Sequence, residues 1–272
     1  MREELFSVDS KVVVVTGGLG HLGSQFARTL LARGAAVAVL DLPGRIADAE
    51  TVMGEWMRND RLACVEADVT NRDSLEAALA QVERRLGVPE GLINNAAIDS
   101  PPSGSGDDNP PFEQYAESAW QLVMDVNVTG VFLSSQVFGG AMAAAGRGSI
   151  VNISSIYGLV SPDQRVYEYR RRRGVDFYKP VAYSVSKSAL LNLTRYLATY
   201  WAGRGVRVNT LTFGGVLNGQ DDEFLAEYSA RAPIGRMARL DEYDGAIVFL
   251  LSGASSYMTG SNMVIDGGWT SW

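Results

Sequence analysis

Val12-Val13-Val14-Val15 runs almost directly into Gly17-Gly18-Leu19-Gly20-His21-Leu22-Gly23. Four β-branched residues without polar alternation form the pattern of a strand buried on both faces. The segment Ser24 to Arg33 then reads as a helix stopped by Gly34, and Ala36 to Leu40 as a second apolar strand ending in Asp41. A buried strand, a glycine turn, a helix and another buried strand restrict the chain to a parallel sheet with crossover helices.

The same order recurs downstream. Leu62 to Glu66 reads as a strand, Ser74 to Leu86 as a helix and Gly91 to Asn94 as a strand. The stretch from Phe112 to Ala145 is mostly helical, Ser149 to Ser154 is a strand, and Val181 to Trp201 is a helix. Val206 to Leu211, Tyr243 to Leu251 and Met263 to Ile265 make a strand–helix–strand ending. The expected fold is α/β: a Rossmann-type, doubly wound parallel sheet in a single domain spanning 1–272. Two segments interrupt the rhythm, a Pro/Gly/Ser/Asp-rich loop from Asp99 to Pro111 and the stretch Pro162 to Lys179, which holds Arg170-Arg171-Arg172-Arg173. Substrate loops are expected at 99–112, 162–180 and 217–232.

Composition narrows the chemistry. One histidine, His21, and one cysteine, Cys64, leave no side-chain set for a zinc or cysteine metal centre, so no metal is expected. A net charge of −7 argues against nucleic acid or an anionic membrane as the main partner. The first residues have no apolar signal core, and no unbroken apolar run reaches the roughly 20 residues of a membrane span. A soluble cytoplasmic protein with a small-molecule substrate is expected.

Gly18-Leu19-Gly20-His21-Leu22-Gly23 fits G-x-G-x-x-G in the context that motif requires, after a strand and opening a helix. In this reading the first glycine permits the turn, the second lets backbone approach a pyrophosphate, and the third lets the helix pack on the strand. Free N–H groups at the helix start face the phosphates. Asp41 stands 21 residues beyond Gly20, where a carboxylate accepts from ribose hydroxyls and repels a 2′-phosphate, so NAD is favoured over NADP. His21 either reaches a phosphate from the first helical turn or is a tolerated surface residue.

Tyr183 and Lys187 are one helical turn apart and share a face. An ammonium beside a phenol favours the phenolate and draws its pKa down from about 10. A tyrosine so tuned exchanges a proton with a hydroxyl or carbonyl oxygen.

With the glycine-rich turn, Asp41, Asn94-Asn95-Ala96-Ala97, Ser154-Ser155 and Tyr183/Lys187 in this order, the chain resembles the short-chain dehydrogenase/reductase family over essentially its whole length. The resemblance implies an NAD(P)-dependent oxidoreductase that moves a hydride between nicotinamide and a secondary alcohol or ketone, in a homo-oligomer, tetramer or dimer. It implies Tyr183 as general acid/base and Lys187 as the residue that lowers its pKa and holds the nicotinamide ribose. It also implies Ser155, more than Ser154, as hydrogen-bond donor to the reacting oxygen, and Asn127 as anchor of a proton-relay water. Cofactor contacts are implied for Gly17, Gly20, His21, Leu22, Asp41, Asp68, Val69, Asn95, Ala96, Ala97, Gly214 and Val216. One hydroxyl donor and one proton exchanger at an alkoxide-like oxygen are chemically sufficient for such a transfer.

Three departures accompany the resemblance. Thr16-Gly17-x-x-Gly20-x-x-Gly23 has the glycine spacing of the family's extended, sugar-nucleotide branch, whereas the remaining motifs follow the single-domain branch. Phe213-Gly214-Gly215 replaces the usual Pro-Gly. Ser155 and Tyr183 are 28 residues apart, a longer span than is common, and the insert carries the four arginines. Such an insert is expected to form a lid or wall of the substrate pocket, with Arg171 and Arg172 recognising an anionic group, or else lying in a solvated helix face paired to Glu168 or Asp176, or at an oligomer interface. The stretches Ser154 to Pro162 and Lys179 to Lys187 are similar to dehydrogenases of flagellin-modification and nonulosonic-acid pathways, which implies a polar, sugar-like substrate, phosphorylated or acidic. Two other functions stay open: an NAD-retaining epimerase or dehydratase of a sugar nucleotide, and a non-catalytic nucleotide-binding protein.

Overall fold

A computed structural model describes residues 2–99 and 109–272. Most of the substrate loop expected at 99–112 therefore lies outside the described residues. Among the described residues seven strands form one sheet: β1 (Val12–Thr16), β2 (Ala36–Asp41), β3 (Leu62–Glu66), β4 (Gly91–Asn94), β5 (Gly148–Ser155), β6 (Val206–Phe213) and β7 (Asn262–Ile265). Their order is β3-β2-β1-β4-β5-β6-β7, and every pair is parallel. The direction of winding reverses between β1 and β4, so a crevice opens at their C-terminal ends, the usual ligand position in such sheets.

The main helices are α1 (His21–Ala32), α2 (Arg72–Arg85), α3 (Glu117–Ala144), α4 (Val181–Trp201), α5 (Asp222–Ser229) and α6 (Asp244–Leu251). Side chains alternate across each strand, which explains why both faces of β1 are apolar. Val13 and Val15 join a core with Phe26 and Leu30 of α1 and Ile247 and Leu250 of α6. Val12 and Val14 join the opposite core with Leu75 of α2, Phe138 of α3 and Trp201 of α4. The α3–α4 approach is close: a Cβ on Gly139 would stand 2.5 Å from Cη2 of Trp201. By length and composition α3 could cross a membrane, but half of its most apolar window is buried inside the protein. Two wide, π-type turns interrupt it, at Asp125–Thr129 and Ser135–Gly139, and the first carries Asn127.

Two regions read from sequence as loops contain structure. A 3-10 turn (Gln164–Tyr167) and a short helix (Glu168–Arg172) occupy the insert, and α5 lies within 217–232. Their apolar residues make a third core. Val166 and Tyr167 of the insert pack with Tyr228 of α5, Tyr157 after β5, and Trp269 near the C-terminus. Polar contacts join the same pieces. Asp221 caps α5 through the Phe224 amide at 2.8 Å and accepts from the Tyr169 hydroxyl at 2.7 Å. Arg231 pairs with Asp163 at 2.8 Å, and Arg173 pairs with Glu223. The insert and α5 thus form one cap over the C-terminal edge of the sheet.

Candidate active site

The glycine turn is built differently from the sequence expectation. Gly17, not Gly18, takes the left-handed conformation (φ +60°), and a Cβ there would lie 2.8 Å from Cα of Ala96. Gly18 instead packs against β2, where a Cβ would meet Val39 Cγ1 at 2.7 Å. The third glycine does what its spacing implies: a Cβ on Gly23 would stand 2.3 Å from the Gly17 carbonyl oxygen. Gly20 meets only that same oxygen, at 3.1 Å, and its outer side is open. Gly20 also starts α1, and no side chain caps the helix. His21 is exposed at the first helical position, while Leu22 packs partly against the core.

Asp41 ends β2 with its carboxylate turned toward this turn, accepting from the amides of Leu19 and Leu42, each at 3.0 Å. Asn95 braces the turn from the other side. Its side-chain amide donates to the carbonyls of Thr16 at 3.1 Å and Gly17 at 3.0 Å, so that amide is spent inside the protein. The amide of Ala96 donates to the Thr16 hydroxyl at 3.1 Å, and Ala97 is exposed just beyond. Asp68 accepts from the amide and hydroxyl of Thr70 at 2.9 and 2.7 Å, and Val69 is buried against Gly130 of α3. An uncapped helix start, an open glycine and a terminal carboxylate on the next strand fit a dinucleotide.

At the neighbouring strand ends the reactive side chains converge. Ser155 ends β5; its Oγ accepts from the Tyr157 amide at 3.2 Å and lies against the phenol of Tyr183. Ser154 points the other way, as strand alternation requires, and donates to the Lys187 carbonyl at 2.9 Å. Asn127, fully buried in its wide turn, joins three segments. Its Oδ1 accepts from the Ile98 amide at 2.8 Å, and its Nδ2 donates to the Ile98 carbonyl at 2.9 Å and to Ser186 Oγ at 3.0 Å. Lys187 is buried; its ammonium donates to the Ile153 carbonyl at 3.0 Å and stands 5.8 Å from the centre of the Tyr183 ring. Burial draws its pKa down to about 8.

The Tyr183 phenol stands above its ordinary value, opposite to the lowering expected from Lys187. Burial and the charge of Asp99 push it up. The cation acting against them is Lys179, whose ammonium lies 4.9 Å from the ring centre and ion-pairs with Asp99 at 2.5 Å. Sequence reasoning missed both residues. Lys179 precedes Tyr183 by the same four residues by which Lys187 follows it, but it lies just before α4, where helical spacing gives no facing rule. Asp99 follows the strand-end segment Asn94 to Ala97.

Among the insert's arginines Arg171 is the most enclosed, whereas Arg172 and Arg173 lie toward solvent. Arg171 donates to the carbonyls of Phe177 at 2.8 Å and Gln164 at 2.7 Å, pairs with Glu168 at 2.7 Å, and stacks on Tyr178. Arg172 is largely exposed, 3.9 Å from Glu168. On the far wall, Gly214 donates to the Ile265 carbonyl at 3.1 Å, and the Val216 carbonyl accepts from Gln220 at 2.9 Å. The Tyr228 hydroxyl accepts from the Gly215 amide at 2.6 Å, which ties the replaced Pro-Gly segment to α5.

A family model described as "Enoyl-(Acyl carrier protein) reductase" matches residues 20–270. The chain is 34% identical to cis-4-hydroxycyclohexanecarboxylate dehydrogenase of Sinomonas cyclohexanicum, over 96% of each chain. It is 33% identical to galactitol 2-dehydrogenase (L-tagatose-forming) of Cereibacter sphaeroides, over 98% of each. Among solved structures, a gluconate 5-dehydrogenase from Burkholderia cenocepacia in complex with NADP and tartrate superposes with a TM-score of 0.85 at 27% identity, covering 100% of both chains.

Proposed function

The chain belongs to the short-chain dehydrogenase/reductase family and acts on CH–OH groups; from that premise we propose that it interconverts a secondary alcohol of a polyhydroxylated, sugar-like substrate and its ketone, with NAD as the preferred cofactor. The observation that carries this reading is the convergence of Ser155 and Tyr183 on one point, with Lys187 and Asn127 buried behind them. The Gly17–Gly23 turn would hold the pyrophosphate of a nicotinamide cofactor, which would supply or accept the hydride. In the reductive direction Tyr183 gives its phenol proton to the substrate oxygen as the hydride reaches the carbon, and Ser155 donates a hydrogen bond to the same oxygen; the oxidative direction is the reverse and starts from the Tyr183 phenolate, which takes the hydroxyl proton. Lys187 supplies positive charge behind the phenol. Asn127 holds Ile98 and Ser186, and with them α3, in register with the start of α4.

The preference for NAD rests on Asp41, whose carboxylate disfavours a 2′-phosphate. The Arg45 guanidinium, which touches the same turn, is engaged with the Leu19 carbonyl at 3.2 Å and Asp48 at 3.4 Å. A polyhydroxylated substrate is supported by the galactitol and gluconate dehydrogenases among the relatives. An acidic or phosphorylated sugar, of the kind handled in flagellin-modification and nonulosonic-acid pathways, has less support. Arg171 spends its donors on the insert itself, and Arg172 lies in solvent. A homo-oligomer is supported by exposed Phe132, Tyr196 and Tyr200 on α3 and α4.

The test is NAD(P)H absorbance with galactitol, gluconate and cis-4-hydroxycyclohexanecarboxylate, with each nucleotide in turn. Turnover of a polyhydroxylated member with NAD, abolished by Tyr183→Phe without loss of nucleotide binding, is expected. Turnover of the cyclohexane acid alone would refute the sugar-like substrate, and a preference for NADP would refute the role given to Asp41.

A further inference from the structure

Between the insert and the end of β4 lies a charged pair beside Tyr183. Lys179 is the residue the insert delivers. Its backbone is clamped by Gln164, whose Oε1 accepts from the Lys179 amide at 2.9 Å and whose Nε2 donates to the Lys179 carbonyl at 3.2 Å. Gln164 is held in turn by Arg171, through the 2.7 Å bond to its carbonyl. The ammonium is nearly enclosed, between the rings of Tyr157 at 5.7 Å and Tyr183 at 4.9 Å. It meets the Asp99 carboxylate at 2.5 Å, and Asp99 is half exposed.

Resting on the dehydrogenase reading above, we propose that Lys179 and Asp99 form a second recognition site beside the reacting oxygen, one that holds a neighbouring hydroxyl of a neutral polyol and disfavours an acidic sugar. An ammonium has three donors, and Asp99 takes one of them. A carboxylate has two oxygens, and Lys179 engages one of them. Side by side they offer a donor and an acceptor, which is what one hydroxyl of a vicinal diol uses when it accepts and donates at once. The pair is also charge-balanced. A substrate carboxylate drawn to Lys179 meets Asp99 at the same place, so its attraction is offset while its desolvation cost remains. The ammonium stands 4.9 Å from the centre of the Tyr183 ring, within reach of the carbon next to the reacting carbinol. Arg171 then has a use without touching substrate: through Gln164 it fixes the lysine.

The experiment compares kcat/KM for the neutral polyol and the aldonate of the panel, with NAD, in wild type, Asp99→Asn and Lys179→Met. Wild type is expected to favour the polyol. Asp99→Asn leaves the ammonium unopposed and should move the ratio toward the aldonate by about ten- to a hundredfold, the range of a hydrogen bond to a charged group. Lys179→Met should raise KM for the polyol by at least about tenfold without any gain for the aldonate. NAD affinity measured by tryptophan fluorescence checks that each variant is folded. Should Asp99→Asn lose NAD binding, Lys179→Met decides alone, and an unchanged polyol KM in that variant overturns the proposal. A wild type that favours the aldonate, or an Asp99→Asn ratio equal to wild type, overturns it while leaving the dehydrogenase reading intact. No turnover of either substrate overturns the proposal together with the polyhydroxylated substrate on which it rests.

Discussion

Replacing Lys187 by methionine should make the protein more stable and inactive at once. Lys187 is 4% exposed, and its ammonium donates to the Ile153 carbonyl at 3.0 Å. Burial lowers its pKa from 10.5 to about 8. At neutral pH the lysine is charged in both the folded and unfolded chain, and the folded state carries the cost of burying that charge. A difference of about 2.5 pH units is worth about 3 kcal/mol. Methionine keeps the length of the stem and removes the charge, but loses a hydrogen bond from a charged donor, about 2 kcal/mol at pH 7 and about 1 kcal/mol once the amine is neutral. The net expectation is a gain of about 1 kcal/mol at pH 7. The sign with pH follows from proton counting. Between about 8 and 10.5 the unfolded state binds more protons than the folded one, so wild-type stability rises through that window and the advantage of the variant shrinks. Near pH 9.5 about half of the penalty persists, and the lost hydrogen bond nearly offsets it. Urea denaturation of both proteins at pH 7 and 9.5, without nucleotide, measures the difference. Equal or lower stability of Lys187→Met at pH 7, or an advantage that does not change with pH, would refute the argument. Turnover of the variant should fall by about a hundredfold or more.

Asn127→Ala strips the part-buried Ile98 amide and carbonyl of their partners, and should cost about 1–3 kcal/mol in urea denaturation together with a drop in kcat. Gly139→Ala forces a Cβ onto Trp201 and should cost about 1–3 kcal/mol, with a shift in tryptophan emission that a distant substitution would not give. Asp41→Ala should lower the ratio of kcat/KM for NAD over NADP by roughly tenfold, the order of one charged contact; an unchanged ratio removes the charge argument. Arg171→Ala should raise the polyol KM because Gln164 and Lys179 lose their brace, whereas Arg172→Ala, exposed, should leave it within about twofold.

Much of the framework was legible in local pattern. The apolar runs at Val12–Val15, Ala36–Leu40 and Gly91–Asn94 became strands β1, β2 and β4, because a strand covered by helices on both faces has nowhere to place polar residues. The helix Val181–Trp201 was read to its observed ends, since Pro180 precedes it and its apolar positions repeat with helical period. α1 starts earlier than its apolar residues suggest, at His21, because glycines that weaken a helix elsewhere are needed here to let its first turn sit on the strand end. The insert was harder to read. Val166, Tyr167, Phe224 and Tyr228 look like scattered apolar residues within polar loops until the fold brings them together with Trp269. Four consecutive arginines suggested a ligand surface, whereas their partners, the Gln164 and Phe177 carbonyls and Glu168, Asp221 and Glu223, become visible only once that cap is closed.

Local sterics and periodicity determined from sequence alone the βα order, the glycine turn, the acid at the end of β2 and the Tyr183/Lys187 pair, because each depends on residues within a few turns of one another. The identity of the turn glycine, the choice of Ser155 over Ser154 in space, the carbonyl that holds Lys187 and the pairing of Lys179 with Asp99 were decided by the tertiary structure. Lys179 and Asp99 are 80 residues apart. They meet because β4 and β5 lie side by side in the sheet and release their chains at the same edge, a neighbourhood set by strand order that no short window of sequence contains.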